Sequence, residues 1–161
     1  SMSKIFVHPI PDVEAAMQCE FIGEDAFNKT HEYTSQEERY DEFRKVGNIW
    51  QSRLYDQREV FTIHNRIRRW IIETKNMPLA PYYHWFVTQN IDDEFTPDGD
   101  IGVNYYAKCS PATGSFQIWN NTVVPKSQTM YMFPGKVPYR HTHNNHPSHN
   151  RVIIHYSFHR E

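Results

Sequence analysis

The chain has 161 residues, enough for one domain and too few for two of ordinary size, since domains cluster near ~100–150 residues. A formal net charge of −2 argues against a sequence-independent binder of nucleic acid or of an anionic membrane. The mean hydropathy of −0.76 is polar, yet aromatic residues make up 15% of the chain, which excludes a disordered composition and predicts a fold built around bulky rings. Cys19 and Cys109 lie far apart in no CxxC pattern, which points to a reducing compartment or to no redox role. No apolar run approaches the ~18 residues of a membrane span, and no signal-peptide core is visible near residue 1. The expectation is a cytoplasmic protein with no membrane partner.

The first half reads as helix. Thr34 and Glu37 fit a capping box. Tyr40, Phe43, Val46, Trp50 and Leu54 then recur every three or four residues, which draws an apolar stripe down one helical face. Asp56 interrupts it, and a second stripe follows at Val60, Ile63, Ile67 and Ile71, with Trp70 beside it. Asn76, Met77 and Pro78 close the region, because proline cannot continue a helix. Residues 35–75 are thus expected to form a bent helix or an antiparallel pair, a surface through which two copies could associate. Arg58, Arg66, Arg68 and Arg69 read as a solvated face rather than a nucleic-acid patch, given Glu37, Glu38, Asp41 and Glu42 nearby.

The second half reads as strands. Tyr82–Ile91, Ile101–Ala107, Ser115–Trp119, Thr129–Phe133, Val137–His143 and Arg151–Phe158 are short aromatic or β-branched runs separated by Gly and Pro. Ile5–Ile10 or Glu20–Ile22 would supply further strands. The whole is one domain over 1–161: a mainly β sandwich or barrel across residues 80–159, with the helical section packed on one sheet.

Histidine is the unusual count. Of ten in the chain, six fall between His141 and His159. His141 and His143, two apart on a strand, put both imidazoles on one face about 6–7 Å apart, so one metal ion could be shared by the pair. His146 and His149 sit in a polar, turn-like stretch, and His155 and His159 alternate with apolar neighbours on the last strand.

The order of the segments adds to this. Tyr105-Tyr106 lies within IGVNYYA, GSFQIW follows at 114–119, TMYMFPG at 129–135, His141 after it, and RVIIHYSF at 151–158. This half of the chain, roughly 82–158, resembles the C-terminal half of the short 2-oxoglutarate/Fe(II)-dependent oxygenases, members of which are common in bacteria and their phages. The resemblance implies a double-stranded β-helix (jelly roll), hydroxylation of an unknown substrate, and Fe(II) with the small-molecule co-substrate 2-oxoglutarate. It implies that His141 is the distal metal-binding histidine, although a strict count from Phe133 puts Tyr139 there. Arg151 would pair with the distal carboxylate of 2-oxoglutarate, a role that suits a planar bidentate donor. A tyrosine of the 105–106 pair, Tyr105 first, would hydrogen-bond the co-substrate.

The sequence departs from the family where an H-x-D motif is expected. Asp93 stands near the first ligand position and Phe95 at the third. Either the metal site is rebuilt from Asp93 (or Asp92), His141 and His143, which still suits Fe(II), or it is lost. A lost site leaves a non-catalytic jelly-roll module, binding or phage-structural. A His-rich zinc or other cupin-like protein, drawing on His141, His143 and one of His146, His149 or His155, is the third reading.

Overall fold

The computed structural model describes residues 4–18, 21, 43–46, 49–52, 58–89, 94–142, 144–145 and 151–161. Ten strands are described: β1 (Phe6–Pro9), β2 (Phe43–Val46), β3 (Ile49–Ser52), β4 (Leu79–Gln89), β5 (Ile101–Lys108), β6 (Phe116–Ile118), β7 (Asn121–Val123), β8 (Thr129–Pro134), β9 (Tyr139–His141) and β10 (Val152–Arg160). Seven of them form one antiparallel sheet in the order β1-β8-β5-β10-β4-β3-β2, and three form a second in the order β7-β6-β9. The fold is mainly β, a double-stranded β-helix of the jelly-roll type.

One long helix, α1 (Arg58–Thr74), and a short helical segment at 13–18 lie on one face of the large sheet. In α1, Ile63, Ile67 and Ile71 recur every fourth residue and are fully buried, as their spacing predicts. They pack against Val103, Tyr105, Met130, Ile154 and Tyr156 from the sheet. Each buried isoleucine contributes roughly 1.5–3 kcal/mol of apolar transfer energy. The helix ends before Asn76, whose positive φ of 50° stops it. Arg66 and Arg69 are exposed, in keeping with a solvated face.

The segment ahead of α1 corrects the helical reading of 35–75. Residues 43–46 and 49–52 are strands, and Val46 pairs with Ile49. The stripe's Phe43, Val46 and Trp50 are good strand formers, so a strand pair takes them as readily as a helix does. Thr34, Glu37, Tyr40, Leu54 and Asp56 lie outside the described residues, as does Glu20–Ile22 apart from residue 21.

Strand alternation decides what lies between the two sheets. Odd-numbered residues of β5 face the helix, and even-numbered ones face the small sheet. On β8 and β10 the parity is reversed. Tyr106, Tyr131, Phe133 and Ile153 of the large sheet therefore meet Phe116, Ile118 and Tyr139 of the small one. No helix among the described residues is long and apolar enough to cross a membrane.

Candidate functional site between the sheets

The space between the sheets holds the polar residues of interest. Asn104 and Tyr106 reach it from β5, His155 from β10, and Tyr139 and His141 from β9, while Arg151 enters one residue before β10. All six are buried. Tyr139 and His141 are two apart on β9, so both face inward. The sequence count that sets one against the other does not separate them.

Arg151 is the only charged residue among the buried described residues that is not a histidine. Its Nη1 donates to the carbonyl of Thr113 at 2.6 Å and to that of Thr142 at 2.8 Å. It thereby ties the turn after β5 to the end of β9. Thr113 belongs to a 3-10 turn, Pro111–Thr113, which ends at Gly114 with φ +106°. A β-carbon at Gly114 would lie 2.6 Å from Arg151 Nη1, so glycine there makes room for the guanidinium as well as for the backbone.

The Tyr106 hydroxyl lies 2.6 Å from His141 Nε2. Burial, then the charge of Arg151, hold the His141 imidazole well below its usual range, and burial pushes the Tyr106 phenol well up. Both are neutral at pH 7. A second group stands beside them. Asn104 Oδ1 is 2.7 Å from His155 Nδ1 and accepts from the Tyr139 hydroxyl at 3.2 Å, and that hydroxyl is 3.0 Å from His155 Nδ1. Phe95 pairs with Tyr139 through both backbone bonds, 2.8 and 2.9 Å, and its ring meets His155 edge-on at 4.7 Å between centroids.

The structure thus brings together two of the residues singled out from the sequence, His141 and Arg151. Tyr105 is placed elsewhere. Alternation turns it to the helical face, where its hydroxyl donates to the carbonyl of Ile10 at 2.9 Å. Tyr106 is the tyrosine of the pair that stands beside His141. Asp93, Asp92, His143, His146 and His149 lie outside the described residues. Asn104, Thr113 and Gly114 escape the sequence reading. Asn104 carries a signal, as a lone polar residue in a run otherwise apolar on both faces. His155, which the sequence places on the polar face of its strand, is fully buried because the small sheet covers that face.

The donors present test the metal that the family resemblance implies. Among the described residues no three His, Cys, Asp or Glu side chains come together to hold an ion. His141 is engaged by Tyr106, and Phe95 and Tyr139 stand where the count expects ligands. The described donors alone do not fit an Fe(II) centre. The buried guanidinium of Arg151 does suit a carboxylate.

The fold and this interior define a double-stranded β-helix with a buried arginine at its core. Solved structures with that fold include a prolyl-4-hydroxylase from Pseudomonas putida, 13% identical, with a TM-score of 0.55 over 98% of this chain and 92% of that one. A C-terminally truncated protein of Neurospora crassa, solved in its apo form, is 12% identical, with a TM-score of 0.58 over 96% and 82%. A structure of prolyl 4-hydroxylases from Phytophthora capsici is 10% identical, with a TM-score of 0.52 over 99% and 68%. Likeness at these identities is likeness of fold. No family model and no curated protein matches the chain.

Proposed function

We propose that this chain is a 2-oxoglutarate-dependent oxygenase that hydroxylates a substrate the interior does not name. One observation carries the reading. His141 and Arg151, ten residues apart in sequence, are both buried between the sheets, close enough for the arginine's charge to bear on the imidazole. The solved structures of like fold are named as hydroxylases in two cases of the three, which supports the same reading. On this reading Arg151 takes the distal carboxylate of 2-oxoglutarate, with the Tyr106 hydroxyl as its neighbour. His143 and Asp93 join His141 around Fe(II). No chemical step is derived through that ion, because the described donors do not assemble it.

The test is a thermal midpoint with Mn(II) and 2-oxoglutarate added to metal-free protein. Ligand at about 100 times Kd stabilises by roughly 2.7 kcal/mol, a rise of about 5–10 °C for a domain of this size. An unchanged midpoint sinks the proposal. A second reading, a carboxylate-binding module without metal, is favoured by Tyr139 at the counted ligand position, tied to Asn104 and His155. It predicts a rise with 2-oxoglutarate alone and no addition from Mn(II).

A further inference from the structure

Arg151 is held by two carbonyls, and one of them is available to it only because of a side chain. Thr142 follows β9 and stands opposite Ser115, in register with the pairs of Phe116 with His141 and Gln117 with Arg140. In a hydrogen-bonded antiparallel pair the two opposed residues exchange both of their backbone bonds. Here one of the two is kept: the Thr142 amide donates to the Ser115 carbonyl at 2.9 Å. The other is rerouted. The Ser115 amide donates to Thr142 Oγ1 at 2.7 Å, and the Thr142 carbonyl accepts instead from Arg151 Nη1 at 2.8 Å. An amide N–H and a guanidinium only donate and a carbonyl only accepts, so the direction of each bond is fixed. Gly114 leaves the space for this, since a β-carbon there would stand 2.7 Å from the Thr142 carbonyl oxygen and 2.9 Å from Oγ1.

We infer that Thr142 is the positioning residue for the Arg151 guanidinium: its hydroxyl takes its own carbonyl's place in the strand ladder and so releases that carbonyl to Nη1. The inference rests on the reading of Arg151 as the carboxylate-binding residue and adds the group that aims it. Both N–H bonds of Nη1 lie in the guanidinium plane, so the two carbonyls that accept from Nη1 set that plane. The Thr113 carbonyl is the independent half of the grip. Its turn is closed by Thr113 Oγ1, which donates to the Ser110 carbonyl at 2.9 Å and accepts from the Ser110 amide at 3.0 Å. Without the Thr142 hydroxyl, the Ser115 amide reclaims the Thr142 carbonyl, and one of the two acceptors that set the plane is lost. Thr142→Val keeps the shape of the side chain and removes its acceptor, whereas Thr142→Ser keeps the acceptor.

Two measurements on the full chain test this without any turnover. By NMR couplings across hydrogen bonds, the wild-type Thr142 amide should couple to the Ser115 carbonyl carbon, and the Ser115 amide should show no coupling to the Thr142 carbonyl carbon. In Thr142→Val that second coupling should appear. In calorimetry, Thr142→Val should bind 2-oxoglutarate about tenfold more weakly than wild type, the worth of one hydrogen bond to a charged group, and Thr142→Ser should stay within about twofold of wild type. A coupling from the Ser115 amide to the Thr142 carbonyl in the wild type, or equal affinity in wild type and Thr142→Val, overturns the inference. No binding of 2-oxoglutarate by the wild type would defeat the proposed function, and the couplings would still decide whether the hydroxyl releases the carbonyl.

Discussion

Lowering the pH should destabilise this protein through His64, by an amount the structure sets. His64 lies on α1 and is 1% exposed; its ring stacks on Phe158 at 5.9 Å and lies tilted against Tyr156 at 5.5 Å. Burial, then the charge of Arg68 one turn away, lower its pKa from 6.5 to about 4. A histidine depressed in this way binds its proton in the unfolded chain first. Its contribution is therefore complete above pH 6.5 and is lost as the pH falls towards 4. The slope from this one group approaches about 1.4 kcal/mol per pH unit, and the whole window is worth roughly 3 kcal/mol. His141 is depressed as well and acts in the same direction. The isolating comparison is wild type against His64→Leu, unfolded by urea at several pH values from about 7.5 to about 4. Wild type should lose roughly 3 kcal/mol more than the variant across that range. Parallel curves for the two proteins would refute the argument, because a histidine that charges equally in both states leaves no slope.

Two further substitutions separate the faces of β5 and the lining of the arginine. Tyr105→Phe leaves the Ile10 carbonyl without its buried donor and should cost about 1–3 kcal/mol in urea unfolding, with 2-oxoglutarate affinity unchanged. Gly114→Ala places a β-carbon 2.6 Å from Arg151 Nη1 and 2.7 Å from the Thr142 carbonyl, at a backbone angle that L-residues avoid. It should cost about 1–3 kcal/mol in stability and weaken 2-oxoglutarate at least tenfold in calorimetry.

Much of the fold can be read from the residues, for identifiable reasons. Runs such as IGVNYYA, bounded by Gly99 and Pro111, and RVIIHYSF are rich in β-branched and aromatic residues, and they form β5 and β10. The Ile63-Ile67-Ile71 stripe forms the buried face of α1 because its four-residue spacing falls within a 17-residue helix. The hairpin of β2 and β3 is not legible in this way, since a three-to-four spacing over a few strand-forming residues fits either structure. The site is harder to read because each decision turns on one residue of register. Tyr105 and Tyr106 are neighbours, and only the pairing of β5 with β8 and β10 tells which of them looks inward. His155 reads as a residue on the polar face of its strand, and the second sheet, distant in sequence, covers that face. Arg151 and His141 are named by the family resemblance, and the structure buries both between the sheets.

Titration of 2-oxoglutarate into wild type and Arg151→Lys by calorimetry tests the central claim most directly. Lysine keeps the charge but not the planar guanidinium, whose Nη1 serves two carbonyls and which takes a carboxylate only on the proposed reading. The account predicts one binding site in the wild type and a loss of about 10- to 100-fold in Arg151→Lys, with Tyr105→Phe unaffected as the control. Equal affinity in wild type and Arg151→Lys, or no heat in the wild type, would contradict it.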